Sequence, residues 1–316
     1  MELTFTQYVN TKIHQKFSSY EHSVIFGQNI VSGSRISGLG AGLDQINNCL
    51  ALNTTNSENS LMGLGFGLSL SETPSLFLMK QHDFALLGLD QLTNTHNVLR
   101  HGRLLAPFIV LMVVVDSGFE GPQASLSSLD EFASLSRAPI YFLSSKENID
   151  RAFELASEPG LHLMALSQKN MKNICASSQL QVINCDEAII YKYLPNKEKP
   201  KIAVLLFGVD NSIAQEVSEE LSNKNYCVSL INIIKLSKIE LSSKLFYEIT
   251  QHDKIVVIDT GKSDVHFSTE LVLKLKENGN NIDLYQRNSS PKWSVVNDDA
   301  IEFDVQSIVQ NISKGI

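Results

Sequence analysis

Asn53-Thr54-Thr55-Asn56-Ser57-Glu58-Asn59 runs into Met62-Gly63-Leu64-Gly65-Phe66-Gly67-Leu68, then Pro74-Ser75-Leu76-Phe77-Leu78-Met79, then Gln81-His82-Asp83-Phe84-Ala85-Leu86-Leu87-Gly88-Leu89-Asp90-Gln91. The first segment sets a carboxylate, Glu58, at the opening of a helix, where the helix dipole favours an acid. That helix carries glycine at positions 63, 65 and 67, and each glycine costs roughly 1 kcal/mol against alanine. Such a cost points to packing at backbone distance, as across a subunit interface; a loop without helix is the other reading. Leu76 to Met79 reads as a strand, and Phe84 to Leu99 has helical spacing.

Outward from this stretch, apolar strands alternate with amphipathic helices. Phe5, Tyr8, Val9, Ile13 and Phe17 share one face of an opening helix, and Ser23–Gly27 and Cys49–Asn53 read as strands. Between them lies the glycine-spaced loop 33–40, which lacks both the Gly-Lys-Ser/Thr of a P-loop and dinucleotide-fingerprint spacing. Phe108 to Val115 is one continuous β-rich apolar run, the mark of a strand buried on both faces of a parallel sheet. Strands at Ile140–Leu143 and Leu161–Ala165 flank a helix at 146–157, and a weak strand follows at Ala188–Tyr193. The charged, proline-bounded Leu194-Pro195-Asn196-Lys197-Glu198-Lys199-Pro200 reads as a linker, and a second strand–helix alternation begins at Lys201. The expectation is an α/β protein of two doubly wound domains, the first mostly parallel, spanning 1–194 and 195–316.

At 316 residues and 43% hydrophobic, the chain has ample material for two cores, and its net charge of −8 argues against nucleic acid and anionic membrane as partners. No window reaches the roughly 18 apolar residues of a bilayer span. The N-terminal sequence lacks a signal-peptide pattern. The four cysteines are scattered without C-x-x-C, so neither zinc nor a disulfide framework is expected, and a cytoplasmic setting is. The histidines are singletons: His96 and His101 are five apart and off metal-ligand spacing.

The acid before a glycine-rich helix, followed by Asp83-Phe84 and Asp90-Gln91, resembles the pyrimidine-binding domain of transketolase-like, thiamine-diphosphate-dependent enzymes. The form nearest to it is the beta subunit of the 2-oxoacid dehydrogenases, with "TP-x-x-E" before a small-residue helix and a later "D-[YF]…D-Q". The second domain is similar to the transketolase C-terminal domain, through Ile202–Gly208, Asn225–Asn232 and Lys254–Asp259. The resemblance implies that Glu58 is catalytic, a carboxylate hydrogen-bonded to the aminopyrimidine of thiamine diphosphate so that the cofactor activates itself for attack on a carbonyl. It also implies that Phe84 lies against that ring and that Gln81, where the family often has an aromatic, contacts the cofactor. Alone, Glu58 reads first as a first-turn acid that the helix dipole favours, and Phe84 equally as a core aromatic.

Two departures shape the expected function. After the long apolar strand, the family has a histidine; here Phe119-Glu120-Gly121-Pro122-Gln123-Ala124-Ser125 keeps the Gly-Pro without it. Gln123 and Ser125 are the candidate substrate contacts, and His82 is a candidate substitute for proton transfer, or simply a polar residue at a helix start. The Gly-Asp-Gly that holds the diphosphate and Mg²⁺ in this class is absent. The resemblance therefore implies half an active site, completed by an alpha-type subunit in a heterotetramer, with self-association into a dimer. The expected reaction makes or breaks a C–C bond next to the carbonyl of a ketose or 2-oxoacid. The alternatives are a non-catalytic structural or regulatory subunit, a lipoyl-linked dehydrogenase beta subunit, and an unrelated flavodoxin-like binding protein.

Overall fold

The alternation of one strand explains the architecture. In Pro107–Val114 every residue is buried; Ile109, Leu111 and Val113 join one apolar cluster, while Phe108, Val110, Met112 and Val114 join another. A strand with a period of two side chains does this only when both faces of its sheet are covered.

The computed structural model describes residues 2–125, 127–193, 200–236, 242–286 and 303–315. In chain order the first elements are α1 (Phe5–Ser18), β1 (Ser23–Gly27), β2 (Cys49–Asn53), α2 (Glu58–Leu70), β3 (Ser75–Met79), α3 (His96–Leu99) and β4 (Pro107–Val114). Then come α4 (Leu129–Ser136), β5 (Ile140–Phe142), α5 (Lys146–Leu155), β6 (Gly160–Ser167), β7 (Gln181–Asn184), β8 (Ala188–Tyr193), β9 (Lys201–Phe207), α6 (Ser212–Asn223) and β10 (Cys227–Ile233). The remainder is β11 (Lys235–Leu236), α7 (Ser243–Thr250), β12 (Lys254–Asp259), α8 (Phe267–Glu277), β13 (Ile282–Gln286) and α9 (Val305–Lys314).

Two sheets result. The first has the order β11-β5-β6-β4-β3-β1-β2 and is parallel except for β11, which runs antiparallel to β5. The second has the order β13-β12-β9-β10-β8-β7; its β13, β12, β9 and β10 are parallel, and β8 and β7 are antiparallel. Apolar faces of α1, α5, α6 and α9 fill one cluster (Val9, Ile13, Ile149, Val217, Ile308). Those of α2, α4, α7 and α8 fill the other (Met62, Phe66, Phe132, Ile249, Leu275). Helices thus cover both faces of both sheets, the doubly wound α/β arrangement that the strand–helix alternation implies.

Differences from expectation have local causes. The helix expected over 84–99 is instead a 3-10 segment His82–Gly88, a π-turn Gln91–Thr95 and the short α3. Gly88 presses on α2, where a Cβ would lie 2.7 Å from Met62 Cγ. Thr93, Asn94 and Thr95 are poor helix formers, and the Thr95 hydroxyl donates to Gln91 Oε1 at 2.6 Å. Helix α4 follows a serine-rich approach and was not expected. The strands β7 and β8, which precede the expected 194/195 boundary, hydrogen-bond into the second sheet, while β11 returns to edge the first. The expected linker falls, but for Pro200, outside the described residues.

Candidate active site

Four adjacent parallel strands, β4, β3, β1 and β2, end on one edge of the first sheet. From β1 the chain goes to β2 on one side and then to β3 on the other. In open α/β sheets the crevice beyond the carboxyl ends at such a reversal is where ligands sit. Gln28 follows β1, Glu58 follows β2, Gln81 and Phe84 follow β3, and the 116–125 loop follows β4. Sequence spacing that looks arbitrary thus gathers the candidate residues on one edge.

Glu58 opens α2 and is only 3% exposed. Its Oε1 accepts a hydrogen bond from Gln28 Nε2 at 2.9 Å, and Oε2 accepts none among the described residues. Asn53 at the end of β2 braces the opposite wall. Its Oδ1 accepts from the N–H groups of Ile30 (2.8 Å) and Val31 (3.0 Å), and its Nδ2 donates to Ser32 Oγ at 2.6 Å. A buried carboxylate usually needs such partners or a bound one to offset desolvation. Gly88 brings the 82–88 segment onto the first turn of α2, where its Cβ position would lie 3.4 Å from the Glu58 carbonyl oxygen. Phe84 on that segment is half-buried against the apolar cluster, and Gln81 is half-buried at its start.

The three helical glycines do different things. A Cβ on Gly65 would fall 2.1 Å from Cζ of Phe108, so this position lets the helix sit on a core ring. One on Gly63 would meet only Gln91, at 3.7 Å, and one on Gly67 would meet nothing within 4 Å. Gly67 lies on an exposed face with Leu64 (42% exposed), and Leu86 and Leu87 on the 82–88 segment are exposed too (50% and 54%).

His82, expected beside the pocket as a proton-transfer group, lies in the core behind it. It has no exposed surface, its ring meets Phe132 edge-on at 4.6 Å, and neither ring nitrogen has a hydrogen-bond partner. Burial lowers its pKa to about 4. Ser125, expected as a substrate contact, also faces inward: its N–H (3.0 Å) and hydroxyl (3.3 Å) both donate to Asp83 Oδ1. Gln123 is exposed at the tip, in a left-handed conformation at φ 64°. The loop is further closed by Glu120, which accepts from Ser117 and Gln168 at 3.0 Å each, and by Asp116, which accepts from Ser167 Oγ at 2.5 Å. Burial raises the Asp116 pKa against those hydrogen bonds, which lower it.

Sequence reasoning missed Gln28 and Asp83. The first had a signal in its place, one residue past a strand on the ligand-binding edge; the second stands next to Phe84 in the Asp-Phe pair. The residues present fit the aminopyrimidine end of the expected cofactor: a sunken carboxylate with one oxygen free, and a partly exposed aromatic on the segment packed beside it. Among the described residues no three His, Cys, Asp or Glu side chains group to hold a metal ion.

No protein-family model and no curated protein sequence matches the chain. Solved structures do. A split-gene transketolase described as an inactive beta4 tetramer superposes with a TM-score of 0.69 at 11% identity, covering 99% of this chain and 98% of that one. The transketolase of Campylobacter jejuni subsp. jejuni NCTC 11168 superposes with a TM-score of 0.71 at 10% identity, covering 99% of this chain and 47% of that one. This chain therefore spans about half the length of that single-chain protein and nearly all of the split-gene subunit. Two α/β units in this order, with an acid-headed glycine helix at the sheet's carboxyl edge, make this a chain of transketolase-like fold.

Proposed function

We propose that this chain is the beta-type, pyrimidine-domain subunit of a two-component, thiamine-diphosphate-dependent transketolase-like enzyme, acting on a ketose or 2-oxoacid. The observation that carries the reading is Glu58: a 3%-exposed carboxylate at a helix start, with Oε1 held by Gln28. The bound cofactor supplies the electron sink for making or breaking a C–C bond next to a carbonyl. With the cofactor bound, Glu58 Oε2 would be the group to hold a ring nitrogen of the aminopyrimidine, and Gln28 would keep the carboxylate from turning away. Phe84 offers its face to the same ring, with Gln81 at its edge. Gln123 reaches substrate from the loop that Asp83 anchors through Ser125.

The partner, an alpha-type chain, supplies the diphosphate and Mg²⁺ contacts. Supporting this are the missing Gly-Asp-Gly and the near-complete overlap with one subunit of a split-gene transketolase. Leu64, Gly67, Leu86 and Leu87 form the association face of a dimer and of the heterotetramer. The four cysteines are free, in keeping with a reducing, cytoplasmic setting. A second reading, a non-catalytic subunit, draws on the sealed His82 and the loop without histidine.

The test is Glu58→Gln in the assembled two-subunit enzyme. Turnover falls by about 100-fold or more under the catalytic reading; turnover equal to wild type overturns it.

A further inference from the structure

Away from the Glu58 crevice, α4 of the first sheet faces α8 of the second across a cavity of about 610 Å³. Its walls are apolar and open: Leu135, Val265, Phe267 and Leu273, of which Leu135, Val265 and Leu273 are 46%, 76% and 58% exposed. Its floor is polar. Asp130, 7% exposed, accepts from the Phe267 N–H at 2.8 Å through Oδ1, while Oδ2 accepts no hydrogen bond among the described residues. His266, 8% exposed, has Nδ1 at 3.1 Å from Asp259 Oδ2, a contact that is an ion pair when the ring is protonated. Asp259 is otherwise engaged, by the Ser268 hydroxyl at 2.5 Å and the Gly261 N–H at 2.9 Å. Gly261 leaves room for the cluster, since a Cβ there would lie 3.4 Å from Asp130 Oδ2 and 3.5 Å from His266 Cε1.

The charge balance has a sign. Glu131 on α4, which accepts from the Ser263 hydroxyl, and Glu270 on α8, paired with Lys274 at 2.8 Å, rim the same cavity. Lys262 is engaged as well, its Nζ donating to Ser125 O at 3.2 Å. Among the described residues, Asp130, Glu131 and Glu270 line the cavity with Asp259 behind its floor, against one histidine and a lysine already paired with Glu270. Apolar walls over a convergent polar floor are the usual form of a small-molecule site.

We propose that this inter-sheet cavity binds a small organic ammonium ion on an apolar stem, its charge on Asp130 Oδ2 and its stem between Leu135, Val265, Phe267 and Leu273. None of these residues belongs to the crevice around Glu58, so the site is independent of the function proposed there. Burial, and then the neighbouring Asp259, raise the pKa of Asp130 to about 7. His266 is raised as well, by Asp259 against its own desolvation. An arriving cation ionises Asp130 and releases its proton, so affinity rises with pH by up to about tenfold per unit below neutrality and levels off above it.

Calorimetry with 2-phenylethylammonium as the probe and 3-phenylpropionate as the matched anion tests this on the full chain at pH 6 and pH 8. The ammonium binds about tenfold tighter at pH 8 than at pH 6, and the anion does not bind. Asp130→Asn removes the pH dependence and lowers affinity at pH 8 at least tenfold. Leu273→Ser, at an exposed wall position that folding does not depend on, lowers affinity severalfold with the pH dependence intact. Absence of ammonium binding at pH 8, equal binding of the anion, or wild-type affinity in Leu273→Ser overturns the proposal.

Discussion

Gly65→Ala and Gly67→Ala, two residues apart on one helix, are expected to move stability in opposite directions. In an exposed helical position alanine gains roughly 1 kcal/mol over glycine. At Gly67 nothing lies within 4 Å of the added carbon, so the isolated chain gains that amount. At Gly65 the same carbon falls 2.1, 2.2 and 2.5 Å from Cζ, Cε2 and Cε1 of Phe108. That ring cannot yield cheaply: it is fully buried, lies 5.3 Å edge-on from Phe66 and stacks on Phe26 at 6.4 Å. A displacement of more than about 1 Å in a close-packed core belongs at or above the top of the usual 1–3 kcal/mol overpacking range. Net of propensity, Gly65→Ala loses about 2 kcal/mol or more. Urea unfolding followed by circular dichroism reads both as shifts of the midpoint at constant slope. A stable Gly65→Ala, or a destabilised Gly67→Ala in the lone chain, refutes this packing.

Three other outcomes follow from the same geometry. His82 has its pKa lowered to about 4 in the fold against about 6.5 unfolded. Its contribution to stability is therefore complete above pH 6.5 and is lost as pH falls toward 4, by about 3 kcal/mol; His82→Leu flattens that limb in unfolding titrations, and an unchanged limb contradicts the assignment. Asp83→Ala frees the N–H and hydroxyl of Ser125, leaving them buried and unpaired at about 1–3 kcal/mol, and speeds limited proteolysis within 116–125; wild-type cleavage rates there would argue against the anchor. Leu87→Glu, exposed in the lone chain, leaves its stability within about 0.5 kcal/mol but weakens self-association in sedimentation velocity; undiminished association moves the interface elsewhere.

The sequence made some of this plain for physical reasons. β4 is legible because a strand sealed on both faces must be apolar throughout. β1, β2 and β12 keep the expected bounds because short apolar runs between turn residues leave little choice. Segment 82–99 kept helical spacing, yet Gly88 docks on α2 and the Thr-Asn-Thr run favours a π-turn, and tertiary contact decided between them. β7 was illegible: Gln181-Val182-Ile183-Asn184 is half-exposed, and only pairing with β8 makes it a strand. Glu58 and Phe84 are candidates because the signal that names them is local. Gln28 meets Glu58 from thirty residues away, and Asp130, Asp259 and His266 converge from both sheets, so no window contains them. His82 reads as a polar helix-start residue beside an aspartate, while in the fold Phe132 covers its ring.

The most direct measurement is turnover of a ketose or 2-oxoacid, with thiamine diphosphate and Mg²⁺, by this chain assembled with a diphosphate-domain subunit, wild type against Glu58→Gln. The account predicts a loss of about 100-fold or more in a variant that still assembles. Equal turnover, or activity from this chain with no second subunit, contradicts it.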